Sequence, residues 1–255
     1  MSTSITPNAK MVDIHMHLIP GVDDGAEDMM MARMMLLRAR EQGIDTIFCT
    51  PHSKAFQYSE DKTRIYFDRL SENVCGTYPD MKLYLGCEVY CEAQMMKRVL
   101  KNLHCGRYPT MNGTEYVLME FSPYVDAEGA IACVEPMVNA GYKPIIAHME
   151  RYPYLCDNMD LVDQFQELSA LIQINVYSLF DEDKDSIKNW ARRLVHERKA
   201  DFLGTDAHRT YHRPPSALGG LQWLYENVER EYTVDIAWRN AERLLIGREE
   251  GSYRE

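Results

Sequence analysis

Short apolar stretches alternate with longer amphipathic ones along almost the whole chain, and this alternation restricts the fold more than any other feature. Strands are expected near 11–17, 44–49, 81–88, 116–120, 143–148, 170–175 and 201–205. Helical patterns lie between them at 27–42, 59–75, 92–101, 127–140, 158–168 and 183–198. Gly43 and Gly141 stand where two of these helices should end, and glycine suits that position. A helical tail follows over 214–247 with a break near 230. Parallel strands need a crossover of a dozen or more residues, usually a helix. Seven strands separated by helices therefore predict an α/β fold, closed or nearly closed into a parallel barrel. The methionines of the first helix (Met29, Met30, Met31, Met34 and Met35) read as core filling.

The expected strand ends carry a second pattern. Asp13-Ile14-His15-Met16-His17 places two histidines at i and i+2, which share one face of a strand. Val22-Asp23-Asp24-Gly25 follows, so Asp24 can fold back from the first loop, while Asp23 reads as a turn or supporting carboxylate. His52, His148 and His208 also fall at or just past strand ends. Glu88, Glu120 and Asp206 occupy the same place on other strands. In β/α barrels the C-terminal ends of the strands converge on the active site, so these residues should meet.

Imidazole plus carboxylate without thiolate suits Zn, Mn or Fe. Nine candidate ligands exceed what one ion takes and suit two or three divalent ions. Three such ions over four carboxylates leave a net positive site that favours an anion, and a metal-bridging hydroxide is a ready nucleophile at neutral pH. Arg151 and Arg213 lie on loops just past these positions. A guanidinium fork matches phosphate, although a surface role or a loop salt bridge would also account for each arginine.

Composition narrows the function further. The net charge of −11 argues against an extended nucleic-acid surface. No apolar run approaches the ~18 residues of a membrane span, so the chain is not expected to be membrane-embedded. The first ten residues, MSTSITPNAK, are polar and lack the apolar core of a signal peptide. They read as a flexible N-terminal arm over 1–10, ahead of a single domain over 11–255. Seven cysteines with no CxxC pair look like reduced thiols of a cytoplasmic protein. None is followed six positions later by arginine, so the nucleophile loop of thiolate phosphatases is missing.

In order along the chain stand Val12-Asp13-Ile14-His15-Met16-His17 with Val22-Asp23-Asp24-Gly25, Thr50-Pro51-His52, and Gly86-Cys87-Glu88-Val89-Tyr90. Leu118-Met119-Glu120-Phe121-Ser122, Ile146-Ala147-His148-Met149-Glu150-Arg151-Tyr152 and Gln173-Ile174-Asn175 follow, then Thr205-Asp206-Ala207-His208 with Arg213-Pro214-Pro215. This ordered set resembles the PHP (polymerase and histidinol phosphatase) superfamily. Within it, the chain resembles the bacterial manganese-dependent protein-tyrosine phosphatases of capsular and exopolysaccharide operons, the CpsB/YwqE type.

The resemblance implies a distorted (β/α)7 barrel of the PHP type with its active site at the C-terminal strand ends. It implies metal roles for His15, His17, Asp24, His52, Glu88, Glu120, His148, Asp206 and His208. It implies phosphate-binding roles for Arg151 and Arg213, manganese as the metal, and hydrolysis of phosphotyrosine by a metal-bridged hydroxide. The implied partner is the tyrosine-rich tail of a bacterial tyrosine autokinase, and self-assembly into a homo-oligomer occurs among such relatives. No general acid is evident; Tyr90 and His212 are the nearby candidates. Two alternatives share the ligand set: a small-molecule phosphatase such as histidinol-phosphate phosphatase, and a non-catalytic PHP module.

Overall fold

The structure, a computed structural model, describes residues 10–181 and 185–246. The expected arm lies outside the described residues, apart from Lys10. Among the described residues every strand pairing is parallel. Strands β1 (Met11–Met16), β2 (Ile44–Cys49) and β3 (Lys82–Leu85) pair in that order. Strands β4 (Glu88–Cys91), β5 (Tyr116–Phe121), β6 (Lys143–Ile146), β7 (Leu171–Asn175) and β8 (Phe202–Gly204) form a second run.

The two runs meet at both margins. His52 bridges Glu88, and Met16 bridges Ala207. The His17 amide donates to the Ala207 carbonyl at 2.9 Å, and the Asp206 amide donates to the His15 carbonyl at 2.8 Å. Both bridges fall at or just past the C-terminal ends of β1, β2, β3 and β8, where the site lies. The expected third strand over 81–88 is in fact two pieces, β3 and β4, so Glu88 begins a strand rather than ending one. The break falls at Gly86-Cys87. A Cβ on Gly86 would stand 2.8 Å from Met111 Sδ and 3.0 Å from Thr50 Cγ2. A glycine there spares the Met111 and Thr50 side chains a shift, and Glu88 follows as the first residue of β4.

The helices are α1 (Met29–Glu41), α2 (Ser53–Thr77), α3 (Met96–His104), α4 (Ala127–Asn139), α5 (Met159–Glu167), α6 (Asp185–His196), α7 (Leu218–Asn227), α8 (Arg230–Ala237) and α9 (Glu242–Leu245). Asp28, Asp126 and Asn158 cap α1, α4 and α5 by accepting from backbone amides of their first turns. Helix α2 starts six residues earlier than its periodicity predicts. Ala55 and Phe56 are buried and anchor its first turn directly behind His52. The methionines of α1 are not all core. Met35 is fully buried, whereas Met30 is 63% and Met34 48% exposed.

Alternation along the strands sorts the core into two layers. Val12, Ile14, Phe48, Leu118, Ile145 and Phe202 join one buried cluster inside the strands. Met16, Ile47, Met119, Ile146 and Leu203 join the other, against the helices. On β1 the parity reverses. Ile14 faces inward, yet Met16 faces outward, and the register against β2 slips between Asp13 and Met16. This irregularity re-aims a side chain as a bulge does and turns His15 and His17 toward the site.

At the opposite, N-terminal end of β8, Asp201 accepts from the Ile172 amide at 2.9 Å. Burial raises its carboxyl to about 6, against smaller lowering effects of that hydrogen bond and of Arg243. A carboxyl raised in the folded state binds more protons folded than unfolded, so its penalty grows from about pH 4 to 6 and is full above that. Asp201→Asn is therefore expected to raise the Tm by a few degrees at pH 7.5, with a gap over wild type that shrinks toward pH 5. Thermal unfolding of both proteins across that range checks this.

Candidate metal centre

His15 and His17 project from the end of β1 with their Nε2 atoms 3.2 Å apart. Glu88 faces both, with Oε1 3.2 Å from His15 Nε2 and Oε2 3.3 Å from His17 Nε2. The same carboxylate reaches His148 Nε2 at 2.9 Å and His52 Nδ1 at 2.8 Å. Asp206 Oδ1 lies 3.6 Å from His15 Nε2 and 3.5 Å from His17 Nε2. Asp24 Oδ1 lies 3.4 Å from His52 Nε2 and 3.5 Å from His208 Nε2. Glu120 stands 3.7 Å from His52 and 3.9 Å from His148. All nine residues singled out from the sequence thus come together at the C-terminal strand ends.

Four overlapping sets could hold a cation: His17, Asp24, His52 and His208; His15, Glu88 and His148; His15, His17 and Asp206; and His52, Glu88 and Glu120. Within each set the donor atoms lie within 4.8 Å of one another. Ligand bonds of about 2.0–2.2 Å put two donors on one ion at most about 4.4 Å apart, so small inward adjustments close each set. Two buried atoms test the fit. Glu88 Oε2 and His208 Nε2 have no hydrogen-bond partner. His52 Nδ1 is close to the former, but its direction is wrong for a hydrogen bond. A buried carboxylate oxygen and a buried imidazole nitrogen that lack a protein partner suit a cation.

The electrostatics agree. Burial pushes the Glu88 carboxyl up, but the His15 charge, the His148 hydrogen bond and the close approach of His15 and His17 outweigh it and hold Glu88 well below the usual range. Asp206 is also held well below that range, burial again being outweighed, chiefly by His15 and His17. His52 is pushed up to about 10, since Asp24 and Glu88 outweigh its burial. Burial lowers His148, and burial together with the His17 charge lowers His208. Glu120 rises to about 7 through burial and the nearby Glu88. Without added cations, protonated imidazoles are what balances the buried carboxylates.

Sequence reasoning missed most of the groups that hold the donors in place. Asp23 accepts from the Gly25 and His52 amides at 3.0 and 3.1 Å and lies 2.8 Å from His17 Nδ1, the supporting role its position suggested. Gln173 Oε1 lies 3.2 Å from His15 Nδ1 and accepts from the His148 amide at 2.8 Å. Asp13 is buried and ties β1 to β8 by accepting from the Thr205 amide at 2.9 Å and from the His15 amide at 3.1 Å. Glu150 accepts from the Asn175 amide and the Ser178 hydroxyl, and Asn175 Nδ2 reaches Asp206 at 3.5 Å. The Gln173-Ile174-Asn175 motif was the available signal for two of these. Gly25 is forced, because a Cβ there would lie 2.2 Å from the His17 carbonyl oxygen. His148, Asp206 and Arg213 adopt left-handed φ values of 34°, 51° and 48°. Such strain in non-glycine residues clusters at functional sites.

Arg151 Nη1 donates to Asp206 Oδ2 at 2.5 Å, and Arg213 Nη1 donates to the same oxygen at 3.0 Å. Asp206 therefore divides its oxygens, Oδ1 toward the histidines and Oδ2 toward the arginines. Both guanidinium groups remain partly exposed at the mouth. The salt bridge anticipated as the plainer role for each arginine exists. The cysteines are elsewhere or inert: Cys87 and Cys91 are buried and burial pushes their thiols well up, while Cys75 and Cys105 lie on the surface.

The family model for capsular polysaccharide synthesis, CpsB/CapC, matches residues 11–246. The chain belongs to the CpsB/CapC family. The tyrosine-protein phosphatase CpsB of Streptococcus pneumoniae is 27% identical over 229 residues, which cover 87% of this chain and 91% of that protein. Among solved structures, one from work on YwqE of Bacillus subtilis and CpsB of S. pneumoniae, described as unique metal-dependent tyrosine phosphatases, superposes with a TM-score of 0.82 at 27% identity. The match covers 93% of this chain and 96% of the other. A histidinol phosphate phosphatase of Lactococcus lactis, solved with zinc, L-histidinol and phosphate, is 16% identical with a TM-score of 0.56. It covers 86% of this chain and 95% of its own, and shares the fold alone.

Proposed function

We propose that this CpsB/CapC-family chain is a metal-dependent protein-tyrosine phosphatase that removes phosphate from the tyrosine-rich tail of a bacterial tyrosine autokinase and so regulates capsular or exopolysaccharide synthesis. The observation that carries the reading is the convergence of nine imidazole and carboxylate donors beneath two arginines. The proposed ligands are His15, His17, Asp24, His52, Glu88, Glu120, His148, Asp206 and His208, holding two or three divalent ions, with manganese as the resident metal. When bound, these ions supply Lewis acidity to phosphoryl oxygens and lower the pKa of water at the site.

The remaining work belongs to the chain. Arg151 and Arg213, each held to Asp206 through one Nη1, offer their remaining N–H groups to the phosphoryl oxygens and stabilise the charge that builds there. Glu88 and Asp206, both buried, keep their anionic form and fix the positions of four histidines. The tyrosine phenol leaves with a pKa of about 10 and needs less protonation than an alkyl alcohol. No cysteine takes part. The activity resides in a single domain over 11–255, and the free thiols of the described cysteines fit a cytoplasmic setting. No helix is long and apolar enough to cross a membrane among the described residues.

Chelation is expected to abolish hydrolysis of a phosphotyrosyl peptide, and added Mn²⁺ to restore it, while thiol alkylation leaves the rate nearly unchanged. The reverse pattern would sink the metal reading. Turnover of histidinol phosphate in preference to the peptide would favour the small-molecule phosphatase instead.

A further inference from the structure

A cavity of about 500 Å³ opens from the metal centre between the loop at 21–24 and the first turns of α2. Asp24 and His52 belong both to a cation-competent set and to the cavity wall, so a ligand held at the cluster has direct access to it. Farther along, the wall carries Lys54 and Lys62, both exposed. Among the described residues neither lysine has a carboxylate partner. Lys62 Nζ makes a long contact, 3.4 Å, to the Gly21 carbonyl and lies 5.2 Å from the Tyr66 ring centroid. The acids of the same wall are engaged elsewhere, Asp23 with His17 and Asp24 with His52 and His208. Val22 and Ala55 add apolar surface to it. Two lysines without acidic partners beside the site stand out in a chain of net charge −11.

His52 caps α2, so Lys54 and Lys62 lie two and ten residues beyond this cluster residue, about 3 and 15 Å along the helix axis. An extended peptide running from the cluster covers the longer distance in about four to five residues at roughly 3.3 Å each. We propose that this groove is a subsite for an anionic group, a carboxylate or a second phosphate, carried within about five residues of the scissile phosphotyrosine, with Lys54 and Lys62 as its specificity residues. The inference rests on the phosphatase reading above. It gives the enzyme a preference among phosphotyrosines that the metal centre and the two arginines alone do not supply, since those groups meet only the phosphoryl group.

The test uses three phosphotyrosyl peptides of equal length, one flanked by glutamates, one with a second phosphotyrosine and one flanked by glutamines. Metal-loaded wild type is expected to favour the anionic peptides by on the order of tenfold in kcat/KM, mostly through KM, and less so at high salt. Lys54→Ala with Lys62→Ala removes the preference, and Lys54→Glu with Lys62→Glu reverses it. Whichever anionic peptide gains more identifies carboxylate or phosphate as the better occupant. Equal treatment of the three peptides by wild type overturns the subsite, as does a preference that survives both double variants or a uniform loss on all three peptides. If wild type hydrolyses none of them, the phosphatase reading falls, and the subsite is then judged by binding of phosphonate analogues of the same peptides. Equal affinities there overturn it too.

Discussion

Glu88→Gln is expected to reduce turnover of a phosphotyrosyl peptide by more than about 100-fold in a protein that still folds. Groups that merely orient a metal ligand are worth roughly 10- to 100-fold, and Glu88 does more than orient. Its two oxygens face His15, His17, His52 and His148, and it belongs to two of the four donor sets. Glutamine keeps the shape but removes one anionic charge and one acceptor from a fully enclosed position. The variant should therefore bind fewer ions per chain, which elemental analysis reads, and should need more added Mn²⁺ for whatever rate remains. Asp23→Asn is the informative comparison, because Asp23 reaches the cluster only through His17 and the His52 amide. A loss of 10- to 100-fold with nearly full metal content is expected there. Full activity in Glu88→Gln would remove this carboxylate from the centre and with it the shared-ligand arrangement.

The contrast between Glu88 and Asp23 also shows what the sequence can and cannot convey. The i, i+2 spacing of His15 and His17 carries its geometry openly, because strand alternation puts both on one side. Even so, the bulge between Asp13 and Met16, which reverses the inward and outward parity of β1, left no periodic signal. Glu88 was legible as a donor but not as the first residue of a strand, since the break at Gly86 depends on the approach of Met111 from elsewhere in the chain. The early start of α2 depends in the same way on what Ala55 and Phe56 bury against. Asp13, Gln173 and Glu150 were hardest to assign. Their partners, Thr205, His148 and Ser178, are 192, 25 and 28 positions away, and an acid or amide in a strand, or in the turn after one, looks the same whether it supports a site or meets solvent. Lys54 precedes the helix expected over 59–75 and Lys62 lies within it, and both acquire meaning only beside the cavity.

Arg151→Lys and Arg213→Lys are each expected to lower kcat/KM on phosphotyrosyl peptide by about 100- to 1,000-fold, the range for losing one donor to a developing charge. Lysine keeps the charge but loses the planar fork that can hold a phosphoryl oxygen and Asp206 together, so little rescue over alanine is expected. Because both arginines donate to the same Asp206 oxygen, their effects should not add, and the double variant should lose less than the product of the two. Metal content separates this role from a structural one. Asp206 presents Oδ1 to His15 and His17 while Oδ2 faces the arginines. Replacing an arginine by alanine removes positive charge beside the cluster, so affinity for a divalent cation should hold or rise while phosphate inhibition weakens. A variant that loses metal and activity in parallel would instead make the arginine a support for Asp206 and leave the phosphoryl group to be bound by other residues.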